Sequence, residues 1–170
     1  NMDGLTTSLP RKGRGALTNS SGRFVRATVA AVDDGWDRDD GDLPPLRTQV
    51  TIETPRTIIA RNTSPDIPFD RSLNPYKGCE HGCVYCYARP GHAYMGLSPG
   101  LDFESRLFAK PDAPALLERE LSKPGYRPRT LQLGSNTDPY QPIEKSHRIT
   151  RRVLKVLAAF RHPVSITTKS

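Results

Sequence analysis

Apolar residues at intervals of three and four positions predict the strongest helix of the chain over residues 143–160. The residues of this apolar stripe are Ile149, Val153, Val156, Leu157 and Phe160. Basic residues occupy the other side, so one face is expected to pack on a sheet and the other to meet solvent. A shorter helix is predicted over residues 113–121, with Asp112 as its N-cap residue and Pro124-Gly125 ending it.

Four short segments rich in apolar or β-branched residues alternate with these helices and predict strands. They are residues 72–78, 101–110, 130–134 and 164–169. Alternating strands and helices predict an α/β fold with a parallel sheet. Ligands of such sheets bind at the carboxyl ends of the strands, so functional side chains are expected in the loops that follow them.

Residues 1–65 lack this periodicity, and residues 66–170 hold the predicted domain. The first part contains R-K-G-R-G at residues 11–15 and six aspartates within residues 33–42. Such a composition buries too little apolar surface to offset chain entropy, so a largely disordered extension is predicted, with possible short strands at residues 49–53 and 56–60. The Arg/Gly stretch is compatible with an RNA-binding arm and with a simple flexible tail.

Composition narrows the class of protein. The chain has 170 residues, 16 prolines, 13 glycines and 35% hydrophobic residues, and it contains neither an apolar run of membrane-spanning length nor a secretory signal. We therefore expect a cytoplasmic protein with no membrane partner. The net charge of +7 permits binding to nucleic acid, although a solvated basic surface is the commoner reason for such a charge. Because the chain starts at Asn1 and stops directly after a β-branched run, we expect it to be the N-terminal part of a longer protein.

The three cysteines of the chain lie within eight residues, in the sequence C-E-H-G-C-V-Y-C. Cys79, Cys83 and Cys86 form a CxxxCxxC motif. A [4Fe–4S] cluster held only by protein needs four cysteine ligands, so three would leave one iron open to a substrate or cofactor. The same motif with His81 or His92 as a fourth ligand is compatible with a structural zinc site, although a second pair of short-spaced ligands is missing. An odd, crowded set of cysteines argues against a disulfide framework.

This motif resembles the signature of the radical S-adenosylmethionine superfamily, CxxxCxΦC, in which Tyr85 fills the aromatic position. The resemblance implies a [4Fe–4S] cluster on the three cysteines and S-adenosylmethionine chelated to the fourth iron. It further implies a low-potential electron donor such as flavodoxin or ferredoxin, and reductive cleavage of the cofactor to a radical that abstracts hydrogen from an unknown substrate. The fold it implies is a partial (β/α)₆ TIM-like barrel, of which about the first four βα units are present here.

A second informative segment is G-S-N-T-D-P-Y-Q-P-I-E at residues 134–144, the polar loop. Its side chains suit hydrogen bonding to an amino acid moiety or a ribose, and equally suit an Asx turn that begins a helix. Together with N-P-Y-K-G-C at residues 74–79 and T-K at residues 168–169, the loop looks like the branch of the superfamily that includes spore photoproduct lyase.

The resemblance to that branch implies contacts to S-adenosylmethionine, with Lys169 as a partner for the carboxylate of the cofactor. The candidate cofactor-binding residues are Tyr85, Ser135, Asn136, Thr137, Asp138 and Lys169. Two features depart from the family. A Gly-Gly-Glu run is missing after the second predicted strand, and a fourth cysteine that could donate hydrogen is absent, so repair of thymine dimers is not expected.

The alternative function is a non-catalytic zinc- or nucleic-acid-binding module. It would use the cysteines for a structural metal, and the basic tail and helix for salt-sensitive binding to DNA or RNA. Iron content and colour distinguish this module from a radical enzyme.

Overall fold

The computed structural model describes residues 14–16, 18–19 and 47–170. The aspartate-rich stretch and the first part of the Arg/Gly stretch lie outside these residues. The strands are β1 Gln49–Ile52, β2 Ala60–Arg61, β3 Arg71–Leu73, β4 Tyr76–Lys77, β5 Arg106–Ala109, β6 Leu131–Leu133 and β7 Val164–Ile166. The helices are α1 Leu101–Ser105, α2 Ala113–Leu121, α3 Glu144–His147 and α4 Ile149–Ala159, with a 3₁₀ helix at Arg89–Met95.

The larger sheet has the strand order β2-β3-β6-β7. Strands β3, β6 and β7 are parallel, and β2 pairs with β3 in the antiparallel direction. In register, Ser72 lies beside Gln132 and Gln132 beside Ser165. The three parallel strands therefore end at one edge of the sheet, where the loops that follow them meet.

A smaller sheet has the order β1-β5-β4, in which β1 and β5 are parallel and β4 is antiparallel to β5. Strands β1 and β2 both fall within residues 1–65, so part of the predicted extension pairs with strands of the predicted domain. The possible strand at residues 49–53 is confirmed as β1. The one at residues 56–60 is found only as the two-residue strand β2, at Ala60–Arg61.

The main hydrophobic core lies between the larger sheet and the helices α2 and α4, which pack on each other. Its fully buried side chains include Leu73, Leu117, Leu131, Leu133, Ile149 and Val153. The predicted apolar stripe of the last helix is thus confirmed as a sheet-facing surface in its central part. Phe160 lies outside this surface, because the helix ends at Ala159 and the ring is 41% exposed.

Two predicted strands are corrected. The segment 72–78 is divided between the two sheets, because Asn74-Pro75 interrupts it and Pro75 has no N–H to donate to a ladder. The segment 101–110 is not one strand of the parallel sheet. It forms the short helix α1 and then β5, which belongs to the smaller sheet.

The helix predicted over residues 143–160 is also interrupted. Arg148 has φ 50°, in the left-handed region, and separates α3 from α4. Buried Glu144 compensates for the break by accepting the N–H groups of Thr150 and Arg151 at 3.0 Å each, which caps α4. Asp112 is at the N-cap of α2 as predicted, but its side chain makes no capping hydrogen bond.

The fold is therefore mixed α/β, with three parallel strands adjacent in the larger sheet. Within the described residues the strands form two small open sheets and no closed barrel, and the partial (β/α)₆ barrel stays a prediction. None of the helices formed by these residues is long and apolar enough to cross a membrane.

Candidate functional site

A cavity of about 270 Å³ lies where the loops after the parallel strands meet. It is lined by Cys79, His81, Cys83, Tyr85, Cys86, Tyr87, Ala88, Gly134, Asn136, Thr137, Asp138, Thr167, Thr168 and Lys169. The predicted cysteine ligands and most of the predicted cofactor contacts therefore share one cavity, although they come from three separate parts of the chain. Ser135 is not among the lining residues, but it lies between Gly134 and Asn136, which are.

The cysteine loop, residues 79–86, is a series of tight turns. Cys79 O accepts the N–H of Gly82 and Cys83 O accepts that of Cys86, each at 3.2 Å. Gly78, immediately before the loop, has φ 74°, and a Cβ there would lie 2.6 Å from Leu107 Cδ2. Glycine is therefore required at this position both for its backbone conformation and for the close packing of the loop on β5.

The three thiols differ in environment. Cys79 is buried, whereas Cys83 and Cys86 are partly exposed. Burial raises the pKa of the Cys79 thiol, an effect partly opposed by the nearby backbone amides of Asp138 and His81. The polar loop thus brings a backbone amide close to a cysteine sulfur, where its dipole favours the thiolate.

Lys169 lies directly over the cysteine loop, because its Nζ donates to Cys83 Sγ at 3.3 Å. This contact raises the pKa of the lysine, so the ammonium form is favoured beside the sulfur. The contact is exposed to solvent. Lys169, which was predicted to bind the carboxylate of a cofactor, is therefore hydrogen-bonded to Cys83, a predicted metal ligand.

The three cysteine thiols are the candidate metal donors of the cavity. Among the residues that the structure describes, no group of three or more His, Cys, Asp or Glu side chains is arranged to hold one metal ion. The three cysteines do, however, line a single cavity beside a cationic side chain. The kind of donors and their common cavity fit an iron–sulfur cluster, although the sulfurs are not converged.

The polar loop is fixed by a residue that sequence reasoning did not select. Asn74 donates through Nδ2 to Ser135 Oγ at 2.9 Å, and its Oδ1 accepts the N–H of Asn136 at 2.9 Å. Thr137 is buried and donates to Tyr76 O at 3.1 Å. The loop is therefore attached to the segment between β3 and the cysteines. The motif N-P-Y-K-G-C included Asn74, but a lone asparagine before proline also fits an ordinary turn.

Asp138 joins three segments of the site. Its carboxylate accepts the N–H of Lys169 at 2.6 Å, the hydroxyl of Thr168 at 2.8 Å and the N–H of Tyr140 at 2.8 Å. His81 Nε2 lies 3.5 Å from the same carboxylate. The contact to Tyr140 is the Asx turn that the sequence left open as an alternative. Asp138 thus holds the end of β7 against the cysteine loop.

Gln141 lies in the polar loop, where the sequence offers it as a residue that satisfies free amides at the start of a helix, but its side chain binds the cysteine segment instead. It is fully buried; its Nε2 donates to Gly78 O at 3.1 Å and its Oε1 accepts the N–H of Glu80 at 3.0 Å. One side-chain amide therefore binds the backbone on both sides of Cys79. A glutamine between tyrosine and proline carries no periodic or motif signal that would have identified this role.

The two tyrosines of the cysteine loop region are exposed. Tyr85 is 81% exposed and lines the cavity, so its ring is open to a ligand. Tyr87 donates its hydroxyl proton to Ser135 O and connects the cysteine segment with the polar loop. Although most of Tyr87 is exposed, partial desolvation raises its pKa, and the nearby Cys86 adds to the effect.

Comparison with known proteins finds relatives that carry no assigned function. Uncharacterized proteins of Mycobacterium tuberculosis and Mycobacterium bovis are each 36% identical to this chain over 163 residues, covering 86% of this chain and 47% of the relative. An uncharacterized protein of Methanocaldococcus jannaschii is 33% identical over 98 residues, covering 58% of this chain and 34% of the relative. The chain spans about half the length of the mycobacterial relatives. No family model matches it. No solved structure matches it either.

Proposed function

We propose that this chain is the cofactor-binding part of a radical S-adenosylmethionine enzyme, in which Cys79, Cys83 and Cys86 hold a [4Fe–4S] cluster. The observation that carries the proposal is the single cavity at the ends of the parallel strands, lined by the three cysteines, the polar loop and Lys169. These residues are up to 90 positions apart in the sequence. A zinc site that serves only the fold would not need a polar loop and a lysine beside the thiols.

The order of the strands supports a role for the polar loop. Because residues 101–110 are not part of the larger sheet, β6 is the second parallel strand and the polar loop directly follows it. This is the position at which the superfamily resemblance implied a Gly-Gly-Glu run. We therefore assign the contact to the amino group of the cofactor to the polar loop, and we interpret β3, β6 and β7 as the first strands of a partial (β/α)₆ barrel.

The contacts within the site divide its polar residues into two groups. Thr137 and Asp138 are occupied with Tyr76 and with the end of β7, so we give them a positioning role. The side-chain amide of Asn136 is exposed and makes no hydrogen bond among the described residues, and Lys169 has an exposed ammonium. We assign Asn136, Ser135 and Lys169 to direct binding of the amino acid part of the cofactor.

When bound and reduced, the cluster would supply the electron that cleaves S-adenosylmethionine to methionine and a 5′-deoxyadenosyl radical. The protein contributes binding and orientation. Lys169 would neutralise the carboxylate of the cofactor, the backbone amide of Asp138 lies close to the Cys79 sulfur, and the exposed ring of Tyr85 would be available to stack on the adenine. A low-potential flavodoxin or ferredoxin is the proposed electron donor, and the substrate of the radical is left open.

Anaerobic reconstitution of the chain with iron and sulfide tests the proposal. We expect a brown protein with about four irons per chain, whose reduced electron paramagnetic resonance spectrum shifts when S-adenosylmethionine is added. Formation of 5′-deoxyadenosine, measured by chromatography after reduction, would complete the assignment. The Cys83→Ala variant is the control and should lose both iron and cleavage. A colourless protein with one zinc per chain would instead support the zinc-binding module.

A further inference from the structure

The cysteine loop has a second set of contacts, independent of the polar loop and centred on Arg89. This buried side chain lies three residues after the last cysteine. Its Nε donates to Cys83 O at 2.8 Å and its Nη2 to Gly82 O at 2.9 Å. Its Nη1 donates to the carbonyls of Pro99 and Gly100 at 3.1 Å each. The planar guanidinium therefore ties the cysteine loop to the segment that begins α1.

The charge of Arg89 is paired with Glu104, whose side chain is fully buried. Arg89 Nη2 donates to Glu104 Oε1 at 2.5 Å. A buried carboxylate needs several donors to offset its desolvation, and one guanidinium N–H is not enough. The remaining donors come from a part of the sequence far from the cysteines.

Three consecutive backbone amides of residues 14–16 provide these donors. The N–H groups of Arg14 and Gly15 donate to Glu104 Oε2 at 2.7 and 3.1 Å, and that of Ala16 donates to Oε1 at 2.7 Å. Successive backbone amides that converge on one anion form a nest. We refer to residues 14–16 as the N-terminal strap.

The strap also touches the cysteine loop directly. A Cβ on Gly15 would lie 1.8 Å from Gly82 O, so only glycine permits this approach of backbone to backbone. The guanidinium of Arg14 reaches buried Glu80, inside the loop, at 3.4 Å, and Thr48 Oγ1 at 2.9 Å. The strap, Glu104 and Arg89 are thus connected to the cysteine loop by contacts that do not involve the cysteine side chains.

We propose that the N-terminal strap, together with Glu104 and Arg89, forms a clamp of positioning residues that sets the conformation of the cysteine loop for metal binding. The part of this inference that concerns metal rests on the proposed function. The part that concerns the loop does not, because it follows from contacts to the backbone of Gly82 and Cys83 and to the side chain of Glu80. The strap comes from the segment that the sequence assigned to a disordered extension, and it is here a component of the site.

The test compares Gly15→Ala with Gly91→Ala. The first places a methyl group against Gly82 O, whereas the second adds one where no atom lies within 4 Å. In the metal-free chain, iodoacetamide labelling of Cys83 and Cys86 followed by peptide mass spectrometry reports the opening of the loop. We expect labelling of Gly15→Ala to be about tenfold faster than that of wild type, and labelling of Gly91→Ala to be unchanged.

Reconstitution of the same variants with iron and sulfide gives the second readout. Gly15→Ala should take up less iron and give a broadened spectrum of the reduced cluster, while circular dichroism shows a folded protein. Arg14→Ala removes side-chain contacts only and should show the same changes in weaker form. If Gly15→Ala does not fold, Arg14→Ala tests whether the strap sets the conformation of the cysteine loop. Its control is Arg56→Ala, at an exposed position.

The possible outcomes separate the two proposals. Wild-type labelling rates and iron content in both strap variants would overturn the clamp, whatever the wild-type protein binds. A wild-type chain that takes up no iron would overturn the proposed function, while faster labelling of the strap variants would still support a clamp on the loop.

Discussion

Gln141 Oε1 accepts the backbone N–H of Glu80 at 3.0 Å, and the same amide donates to Gly78 O, so one buried side chain fixes the backbone on both sides of Cys79. The cysteine loop is thereby fastened to the polar loop by a group that is neither a thiol nor a candidate cofactor contact. This relationship permits a test of loop geometry without altering any proposed ligand.

Replacement of Gln141 by leucine should destabilise the protein and reduce iron uptake. The change preserves volume but leaves a buried N–H and a buried carbonyl without partners, each at a cost of about 1–3 kcal/mol. Urea unfolding of the metal-free chain measures the first effect, and iron analysis after reconstitution measures the second. Gln49→Leu, at an exposed position of β1, is the control and should match wild type. Normal iron uptake by Gln141→Leu would show that this bridge does not matter for the site.

Replacement of Lys169 by alanine should separate cluster binding from cofactor binding. The lysine contacts Cys83 but is not a metal ligand, so iron content should be retained. A charge-assisted hydrogen bond to a carboxylate is worth about 1.5–3 kcal/mol, so affinity for S-adenosylmethionine should fall roughly 10- to 100-fold. Titration of the spectral shift of the reduced cluster measures this affinity. Lys155→Ala, at an exposed position of α4, should bind the cofactor normally. Unchanged affinity in Lys169→Ala would contradict the assignment.

Asn74→Ala should weaken cofactor binding through the polar loop. Asn74 holds both Ser135 and the backbone of Asn136, two of the residues assigned to the cofactor. We expect normal iron content and a lower affinity for S-adenosylmethionine, again measured by spectral titration. Asn62→Ala removes an asparagine that fixes a different loop, through Ser64 and Phe69, and should leave the affinity unchanged. Equal affinities in the two variants would mean that Asn74 has only a local structural role.

Stability should fall in mild acid because of His92. Burial lowers the pKa of this imidazole below its usual value near 6.5, an effect partly opposed by the Arg106 carbonyl, which accepts from Nε2, and by Asp102. The pKa of His92 is lower in the folded protein than in the unfolded chain. Buried neutral His92 therefore makes its full contribution to stability above pH 6.5. This contribution is lost as the pH falls, because the unfolded chain takes up the proton first. The slope contributed by one such group is at most about 1.4 kcal/mol per pH unit.

The His92→Phe variant should therefore lose less free energy of unfolding than wild type between pH 6.5 and pH 5, measured by urea titrations at each pH. His147→Phe, at a partly exposed histidine, is the control for the replacement of an imidazole by a phenyl ring elsewhere in the fold. Parallel pH curves for wild type and His92→Phe would rule out this histidine as the source.

The sequence predicted the parallel part of the fold because each of its elements has a local signal. The apolar stripe of α4 and the short apolar strands β6 and β7 alternate as βα units do, and the structure has them in adjacent positions. The segment 101–110 was misassigned because Phe103, Leu107 and Phe108 fit a strand as well as a helix followed by a strand. Whether this segment forms one strand or a helix and a strand depends on the packing of Phe103 against His92. The centroids of the two rings are 5.3 Å apart, and this tertiary contact has no signal in the local sequence.

The residues that carry the chemistry of the candidate site were predictable from the sequence, but the residues that hold them in position were not. Three clustered cysteines and a polar loop are visible in the sequence, and their common cavity agrees with the rule that loops meet at the ends of parallel strands. Gln141, Glu104 and the amide of Gly15 act through backbone contacts across 60 to 90 positions. No spacing rule links such residues, so only the fold could reveal them.

The carboxylate of Asp138 joins parts of the site that are synthesised at different times. The cysteines precede Lys169 by more than 80 residues, and the segment that contains Thr168 and Lys169 is attached through Asp138 next to β7, which pairs with β6. All three thiols are therefore synthesised before the last wall of their cavity. Until Lys169 has been added to the chain, Cys83 lacks the ammonium group that donates to its sulfur in the folded protein.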